Sequence, residues 1–183
     1  MSMLKKLFLA IVLVASFNTA AVAADAPAPK IVVVNVQRIM TDSLAAKDLK
    51  AQLEAKKNQY QAEIKTKGDK LKKEKDDLDK QQGVLAKDVL VSKQKAFLAE
   101  YKNVQDDANQ KSITFENAEK NASRDILASV QDIINDLAKE QGFNLAIPTS
   151  QLLFAHKDFD ISDEVIKRLD AKMPKVALKF DSK

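Results

Sequence analysis

The sequence predicts a mainly α-helical protein with a small β-containing base, in which a long antiparallel helical coiled-coil arm stands on a three-stranded α/β oligomerisation body. Three observations predict this class. Residues 45–138 contain no proline and only two glycines, Gly68 and Gly83. Apolar residues recur at heptad spacing through that span. Short Ile/Val-rich segments at 31–36 and 143–147 flank it, as expected of strands. A helical hairpin that leaves a small base and returns to it explains why a long helical span lies between two strand segments.

Residues 1–24 have the organisation of an export signal. Lys5 and Lys6 precede an apolar stretch that runs from Leu7 to Phe17, which is shorter than the roughly 20 residues that span a bilayer. Small residues then allow cleavage after Ala23 or after Ala24. We therefore expect a soluble protein outside the cytoplasm.

The composition argues against a disulfide-stabilised protein and against a nucleic-acid-binding protein. The chain has no cysteine, so no disulfide framework can form. Loss of Lys5 and Lys6 with the leader leaves 28 basic and 26 acidic residues, a net charge of +2. A nucleic-acid-binding domain normally has a strong basic excess, so we expect no specific nucleic-acid partner.

The first part of the body covers residues 25–48. Its near-continuous Ile/Val segment, 31–36, predicts a strand that is buried on both faces. The next polar residues, Thr41, Asp42 and Ser43, are each suitable N-caps, so we expect a helix to begin there.

The arm is predicted over residues 49–139, with its tip at about 82–91. The larger apolar residues of the outgoing helix are separated by steps of four and seven residues, and those of the returning helix by alternating steps of four and three. Asp88 or Ser92 is the expected cap of the returning helix. Toward the tip the seam becomes rich in charge and alanine, so we expect an arm that bends easily. The outgoing seam is Leu49, Leu53, Tyr60, Ile64, Leu71, Leu78 and Leu85, and the returning seam is Phe97, Tyr101, Val104, Ala108, Lys111, Phe115, Ala118 and Ala122.

The second part of the body covers residues 140–172. Gly142 suits a helix C′ position, and strands at 143–147 and 152–155, a helix at 162–170 and a ragged tail at 173–183 follow. A body of about 65 residues has difficulty burying its own apolar faces and strand edges. We therefore expect self-association through the body residues Ile31, Val32, Val33, Val34, Val36, Leu145, Ile147 and Leu153.

The sequence offers little for catalysis, and we predict neither an enzyme nor a bound cofactor or metal. His156 is the only histidine, so a Ser-His-Asp triad or a multi-histidine zinc site would lack partners. Asp76, Asp77 and Asp79 lack the glycine and the terminal glutamate of a calcium loop, and a solvated helix face explains them better.

A run of lysines marks the outgoing helix. Residues 56–75 contain eight lysines against Glu63, Asp69 and Glu74, an excess that Asp76, Asp77 and Asp79 partly offset. Two interpretations stay open: a charged solvated helix, or a basic surface that attracts acidic partners or anionic lipid head groups.

Both ends of the chain resemble the Skp/OmpH family of periplasmic chaperones. The resembling residues are Lys30-Ile-Val-Val-Val-Asn-Val-Gln-Arg-Ile, Ser43-Leu-Ala-Ala-Lys, Phe143-Asn-Leu-Ala-Ile, Leu152-Leu-Phe-Ala and Asp160-Ile-Ser-Asp-Glu-Val-Ile-Lys-Arg-Leu. The resemblance implies a jellyfish-like homotrimer in the periplasm, whose three arms enclose a cavity. It also implies an ATP-independent holdase that binds unfolded outer-membrane proteins and aids their delivery to outer-membrane assembly.

On this interpretation the arm carries the client-binding residues, and anionic lipid or lipopolysaccharide is a further partner. The alternative is a structural or adaptor coiled coil of the cell envelope with one folded partner, although a rod would need an uninterrupted apolar seam. The client-binding residues that we predict are Lys65, Lys67, Lys70, Lys72, Lys73, Lys75, Leu78, Leu85, Phe97 and Tyr101.

Overall fold

The structure is a computed structural model that describes residues 28–180. Its regular elements form a helical hairpin and a small mixed body. In chain order they are β1 (Ile31–Val34), α1 (Val36–Asp42), α2 (Leu44–Gln81), α3 (Lys87–Gln141), β2 (Leu145–Pro148) and α4 (Ser162–Lys172), with short 3-10 turns at Thr149–Gln151 and Lys157–Phe159.

The first strand is shorter than predicted, because Asn35 begins a helix. Its side-chain oxygen accepts a hydrogen bond from the Arg38 N–H at 2.9 Å, which caps α1, so Val36 is helical and not part of a strand. Of the three candidate caps for the next helix, Ser43 has this role, because its hydroxyl accepts from the Ala46 N–H. The arm helix therefore begins at Leu44, a few residues before the predicted arm boundary.

The arm is an antiparallel hairpin of α2, with 38 residues, and α3, with 55 residues. A turn over residues 82–86 joins them, and the Val84 and Leu85 N–H groups donate to the Gln81 carbonyl. The predicted caps Asp88 and Ser92 were wrong: Ala86 holds the N-cap position without a side-chain hydrogen bond. Asp88 lies inside the first turn, where its negative charge complements the helix dipole.

Gly142 ends α3 as the sequence predicts. Its φ of 73° is left-handed, and its N–H donates to the Ala138 carbonyl at 2.8 Å. This reversal leads into β2, which pairs in parallel with β1, Ile31 opposite Leu145 and Val33 opposite Ile147. The whole arm is thus the crossover connection of one parallel strand pair.

The third strand, predicted over residues 152–155, was wrong, so the body has a two-stranded sheet. An extended segment lies between the two 3-10 turns in its place. Within residues 28–180, the second edge of β1 is occupied by a bridge between Val33 and Asp160, and the Ile161 N–H donates to the Val33 carbonyl. Residues 152–155 therefore have strand-forming side chains but pair with no strand within residues 28–180.

The core lies where the root of the arm meets the body. Its most deeply buried large side chains are those of Ile39, Ile126, Leu137, Val165 and Leu169, which come from α1, α3 and α4. A bidentate ion pair from Arg168 to Glu140, with N···O distances of 2.6 and 2.8 Å, joins α4 to the end of α3. This pair fixes the small helix against the arm root.

The predicted ragged tail was wrong over the residues that the structure describes. Residues 173–180 have no regular secondary structure, yet Val176 is buried, and Met173 and Leu178 pack against the core. The tail therefore lies on the arm root.

The predicted export signal, with cleavage after Ala23 or Ala24, lies outside residues 28–180. Crossing a bilayer requires a long and apolar helix, and none of the helices within residues 28–180 meets both conditions.

Candidate functional site

Most of the predicted basic residues form ion pairs within the arm. Lys65 pairs with Asp69 and Lys75 with Asp79 within α2, at 2.7 and 2.9 Å. Lys67 pairs with Asp107 and Lys70 with Glu100 across the hairpin, at 2.7 and 3.8 Å. Such exposed pairs contribute little stability, but they partly neutralise the lysine run.

Lys72 and Lys73 differ from these residues. Both are exposed, and neither forms an ion pair with another residue in the part of the chain that the structure describes. Among the six lysines predicted to bind clients, these two therefore keep a positive charge that no ion pair within residues 28–180 neutralises.

A polar network replaces one apolar layer in the middle of the arm. Lys111, at a seam position of α3, bonds Asp107 at 2.6 Å and lies 3.4 Å from the Glu63 carboxylate. The Lys111 and Lys67 ammonium groups lower the pKa of Asp107, and Asp107 in turn raises the pKa of Lys111. A charged layer contributes less to helix association than a Leu or Ile layer would, so the seam is weak at this level.

Toward the tip the hairpin has almost no buried apolar residue. Leu71 is the one buried residue of α2 beyond Leu49, and the first buried residue of α3 is Thr114. The predicted client-binding residues Leu78, Leu85 and Phe97 lie half-buried in the seam, whereas Tyr101 is exposed.

The tip also presents apolar side chains that the sequence reasoning missed. Val84 is 84% exposed and Leu98 is 64% exposed. Leu98 was visible in the sequence, because it is an apolar residue outside the heptad seam. We call the exposed set Val84, Val89, Val91, Leu98 and Tyr101 the tip patch.

Two open cavities lie along the arm between the tip and the root. A cavity of about 560 Å³ lies nearer the root, and a separate cavity of about 460 Å³ lies nearer the tip. In the cavity nearer the root, Tyr60, Ile64 and Phe115 form an apolar surface beside Lys57 and Lys65. Such a combination suits apolar side chains of a partner that also carries negative charge.

The body has a strand edge without a partner. Within residues 28–180, β2 pairs with β1 alone, so its outer backbone groups are unpaired. Ile31 and Leu145, which face each other across the strand pair, are both exposed. A groove of about 460 Å³ beside β2 is lined by Leu127, Ile134 and Ile147, among others.

The predicted body residues divide into two groups. Val32, Val33 and Val34 are buried within the chain itself. Ile31, Leu145 and Leu153 are exposed, and Ile147 and Val36 are half-buried. The unpredicted Phe154 joins the exposed group, because Leu153 and Phe154 are 108% and 83% exposed. We call Ile31, Leu145, Ile147, Leu153 and Phe154 the body edge.

No group of three or more His, Cys, Asp or Glu side chains within residues 28–180 has the arrangement of a metal site. The two surfaces that distinguish the molecule are thus the charged and apolar arm and the apolar body edge.

The comparisons with known proteins agree with this architecture. The family model described as outer membrane protein (OmpH-like) matches residues 30–169. The chain belongs to the OmpH-like family. The matched span runs from β1 through the arm to α4, so it includes both candidate surfaces.

A solved structure is similar to this OmpH-like chain over most of its length. It is a crystal structure of a candidate outer membrane chaperone (OmpH-like) from Caulobacter crescentus CB15, with 22% identity and a TM-score of 0.77. The similarity covers 84% of this chain and 92% of the other. No curated protein matches the chain. The long hairpin on a small body is therefore shared with a solved OmpH-like protein.

Proposed function

We propose that this chain is an ATP-independent periplasmic holdase chaperone, which binds unfolded outer-membrane proteins, prevents their aggregation and aids their delivery to outer-membrane assembly. The observation that carries the proposal is the arm itself, a long two-helix hairpin that leaves apolar side chains exposed at its tip. Exposed apolar surface is a feature of sites that bind a protein partner.

The weak packing of the distal arm supports a partner without fixed shape. A hairpin with one buried leucine beyond the root can bend at little cost. Strands of an unfolded β-barrel carry apolar side chains at alternate positions, so many weak contacts with the tip patch can hold different segments. Lys72 and Lys73 add attraction to acidic segments. The same two lysines are the contact that we propose for anionic lipid or lipopolysaccharide.

We propose that the body edge assembles the chains. The unpaired edge of β2 and the exposed Leu153 and Phe154 would be costly for a monomer in water. Three chains, as the family resemblance implies, would direct three arms to one side and enclose a cavity for the client.

The first test measures suppression of aggregation of a urea-unfolded β-barrel protein by residues 25–183. Lys72→Glu with Lys73→Glu should weaken client capture several-fold, because two unpaired cations become anions. Lys47→Glu with Lys50→Glu is the matched control, since both residues are exposed on the same helix outside the lysine cluster. Equal loss in both double variants would remove the basic surface from the proposal.

The apolar contribution has its own variant. Leu98→Ser should reduce suppression of aggregation, whereas Ala99→Ser, at the neighbouring exposed position, should not. The adaptor alternative predicts a different pattern, in which several unfolded β-barrel proteins are ignored and one folded envelope protein binds tightly. That pattern would overturn the holdase proposal.

A further inference from the structure

The C-terminal segment lies on the arm in an extended conformation. We call residues 173–180 the strap. Its side chains alternate: Val176 is buried and Leu178 and Phe180 are half-buried, whereas Lys175, Ala177 and Lys179 are exposed. A period of two is the pattern of an extended strand with one face on a surface. The surface below it is the groove between α2 and α3 at the arm root.

Side chains of α2 bind the backbone of the strap. The Val176 N–H donates to Asp48 Oδ2 at 3.0 Å, and Gln52 Nε2 donates to the Val176 carbonyl at 2.9 Å. Gln52 Nε2 also donates to Asp48 Oδ2 at 2.6 Å, which closes the network. Both bonds to the strap involve backbone groups, so they do not depend on the side chain at position 176, except that proline would lack the N–H donor.

An aromatic site holds the end of the strap. The Phe180 ring lies 6.3 Å from the Tyr60 ring in an edge arrangement and 6.4 Å from the Phe115 ring in a stacked arrangement. The Lys56 ammonium lies 5.1 Å from the Phe180 ring centroid. The groove thus ends in a site for an aromatic side chain beside a cation.

The spacing of the α2 contacts matches an extended chain. Asp48, Gln52, Lys56 and Tyr60 follow one another at intervals of four and so lie on one helix face. The rise from Gln52 to Tyr60 is about 12 Å along a helix, and four residues of extended chain, Val176 to Phe180, cover about 13 Å. The contact residues on this face of α2 are therefore spaced to match the residues of an extended segment of this length.

The strap lies beyond the residues that the family model matches, which end at residue 169. Side chains of α2 and the aromatic site hold it in the groove, so it is the occupant of that groove in this chain.

We propose that the arm-root groove is a binding site for extended peptide segments with apolar residues at alternate positions and an aromatic residue at one end. The strap occupies the site within the chain, and a client segment displaces it. This inference rests on the proposed function for the identity of the client, because β-barrel strands carry this alternating pattern. The evidence that the groove is a peptide-binding site comes from the contacts of the strap and does not depend on the proposed function.

The test compares three full mature chains: wild type, Phe180→Ala and Ala177→Ser. Phe180→Ala removes the ring and leaves every groove residue in place, and Ala177→Ser changes an exposed position of the same strap. Two probes are used, a fluorescent peptide with the sequence of residues 174–183 and a labelled, urea-unfolded β-barrel protein diluted into buffer. An internal competitor lowers apparent affinity by the fraction of time that it occupies the site.

Phe180→Ala should therefore bind both probes several-fold to about tenfold more tightly than wild type, and Ala177→Ser should match wild type. Unchanged affinity for both probes, with a lowered Tm alone, would mean that the strap only stabilises the fold and would overturn the inference. Tighter peptide binding without client binding by any chain would support the groove and overturn the proposed function.

Hydrogen exchange of wild type keeps the inference testable if Phe180→Ala fails to fold. Saturating client should raise the exchange rate of amides 175–180, the Val176 amide most clearly. Unchanged protection of these amides in the complex would contradict displacement.

Discussion

Replacement of Leu71 by alanine tests whether the distal half of the arm is less stable than the root and opens independently of it. Leu71 is 7% exposed, and it is the one buried residue of α2 beyond Leu49. Buried Leu→Ala substitutions cost about 2–5 kcal/mol. Two narrow helices can collapse into the space, so the low end, about 2 kcal/mol, applies here. Since 1.4 kcal/mol corresponds to a factor of ten, the distal arm should open about 30-fold more often.

Native-state hydrogen exchange, read on peptides from each region, measures this opening. Amides of the distal arm, in residues 70–81 and 87–104, should exchange about 30-fold faster in Leu71→Ala, because these amides exchange through local opening. Amides of β1, β2 and α4 should keep their wild-type rates. Ile126→Ala is the matched variant, since Ile126 is fully buried at the root and should accelerate exchange in the body as well.

The result that would refute the reasoning is equal acceleration in arm and body for Leu71→Ala. Arm and body would then unfold as one cooperative unit, and the proposed bending of the arm around clients would lose its physical basis.

Three further predictions concern the body edge, the polar network and the helix end. Leu145→Asp, at an exposed position beside the unpaired strand edge, should leave the fold intact and reduce the mass in light scattering to one chain; an intact oligomer would place the interface elsewhere. Asp107 has a folded pKa below its ordinary value of 3.8, so its stabilisation is full above that value and lost as the pH falls through the folded pKa. The unfolding free energy of the arm, measured in urea, should therefore decrease less with falling pH in Asp107→Asn than in wild type. The same pH dependence in both proteins would show that the polar network does not cause the decrease. A Cβ added at Gly142 would contact no atom within 4 Å, but the backbone there has a left-handed φ of 73°. Gly142→Ala should therefore lower the unfolding free energy by about 1–2 kcal/mol, and an unchanged Tm would contradict this.

Local signals predicted much of the fold, because they act over a few residues. Ser43 caps α2 and Gly142 ends α3 as their chemistry requires. The heptad seam also placed Leu49 and Leu71 inward correctly, since its period alone determines which face of each helix meets the other.

The errors arose where tertiary partners decide the structure. Residues 152–155 have strand-forming composition, but composition does not supply a pairing partner. Asp160 occupies the outer edge of β1, and within residues 28–180 the outer edge of β2 stays unpaired. Asn35 ended the first strand early because its side chain caps α1. The tail lacks any helical or strand signal strong enough to predict packing, and its position depends on Asp48 and Tyr60, which are more than a hundred residues distant.

The candidate site was predicted in part for the same reason. The lysine run was visible in the sequence, but partners of Lys67 and Lys70 lie on the other helix. Which of the predicted lysines are neutralised therefore required the structure. Leu98 was visible as an apolar residue outside the seam. The roles of the predicted client-binding residues and of the body edge remain predictions.

Light scattering coupled to size-exclusion chromatography tests the central claim most directly. Residues 25–183 are measured alone and with one urea-unfolded outer-membrane β-barrel protein diluted from denaturant. The proposed trimeric holdase should have a mass of three chains, and with the client it should elute as a soluble complex that is heavier by one client. A single chain that gains no mass, while the client aggregates, would contradict the proposal.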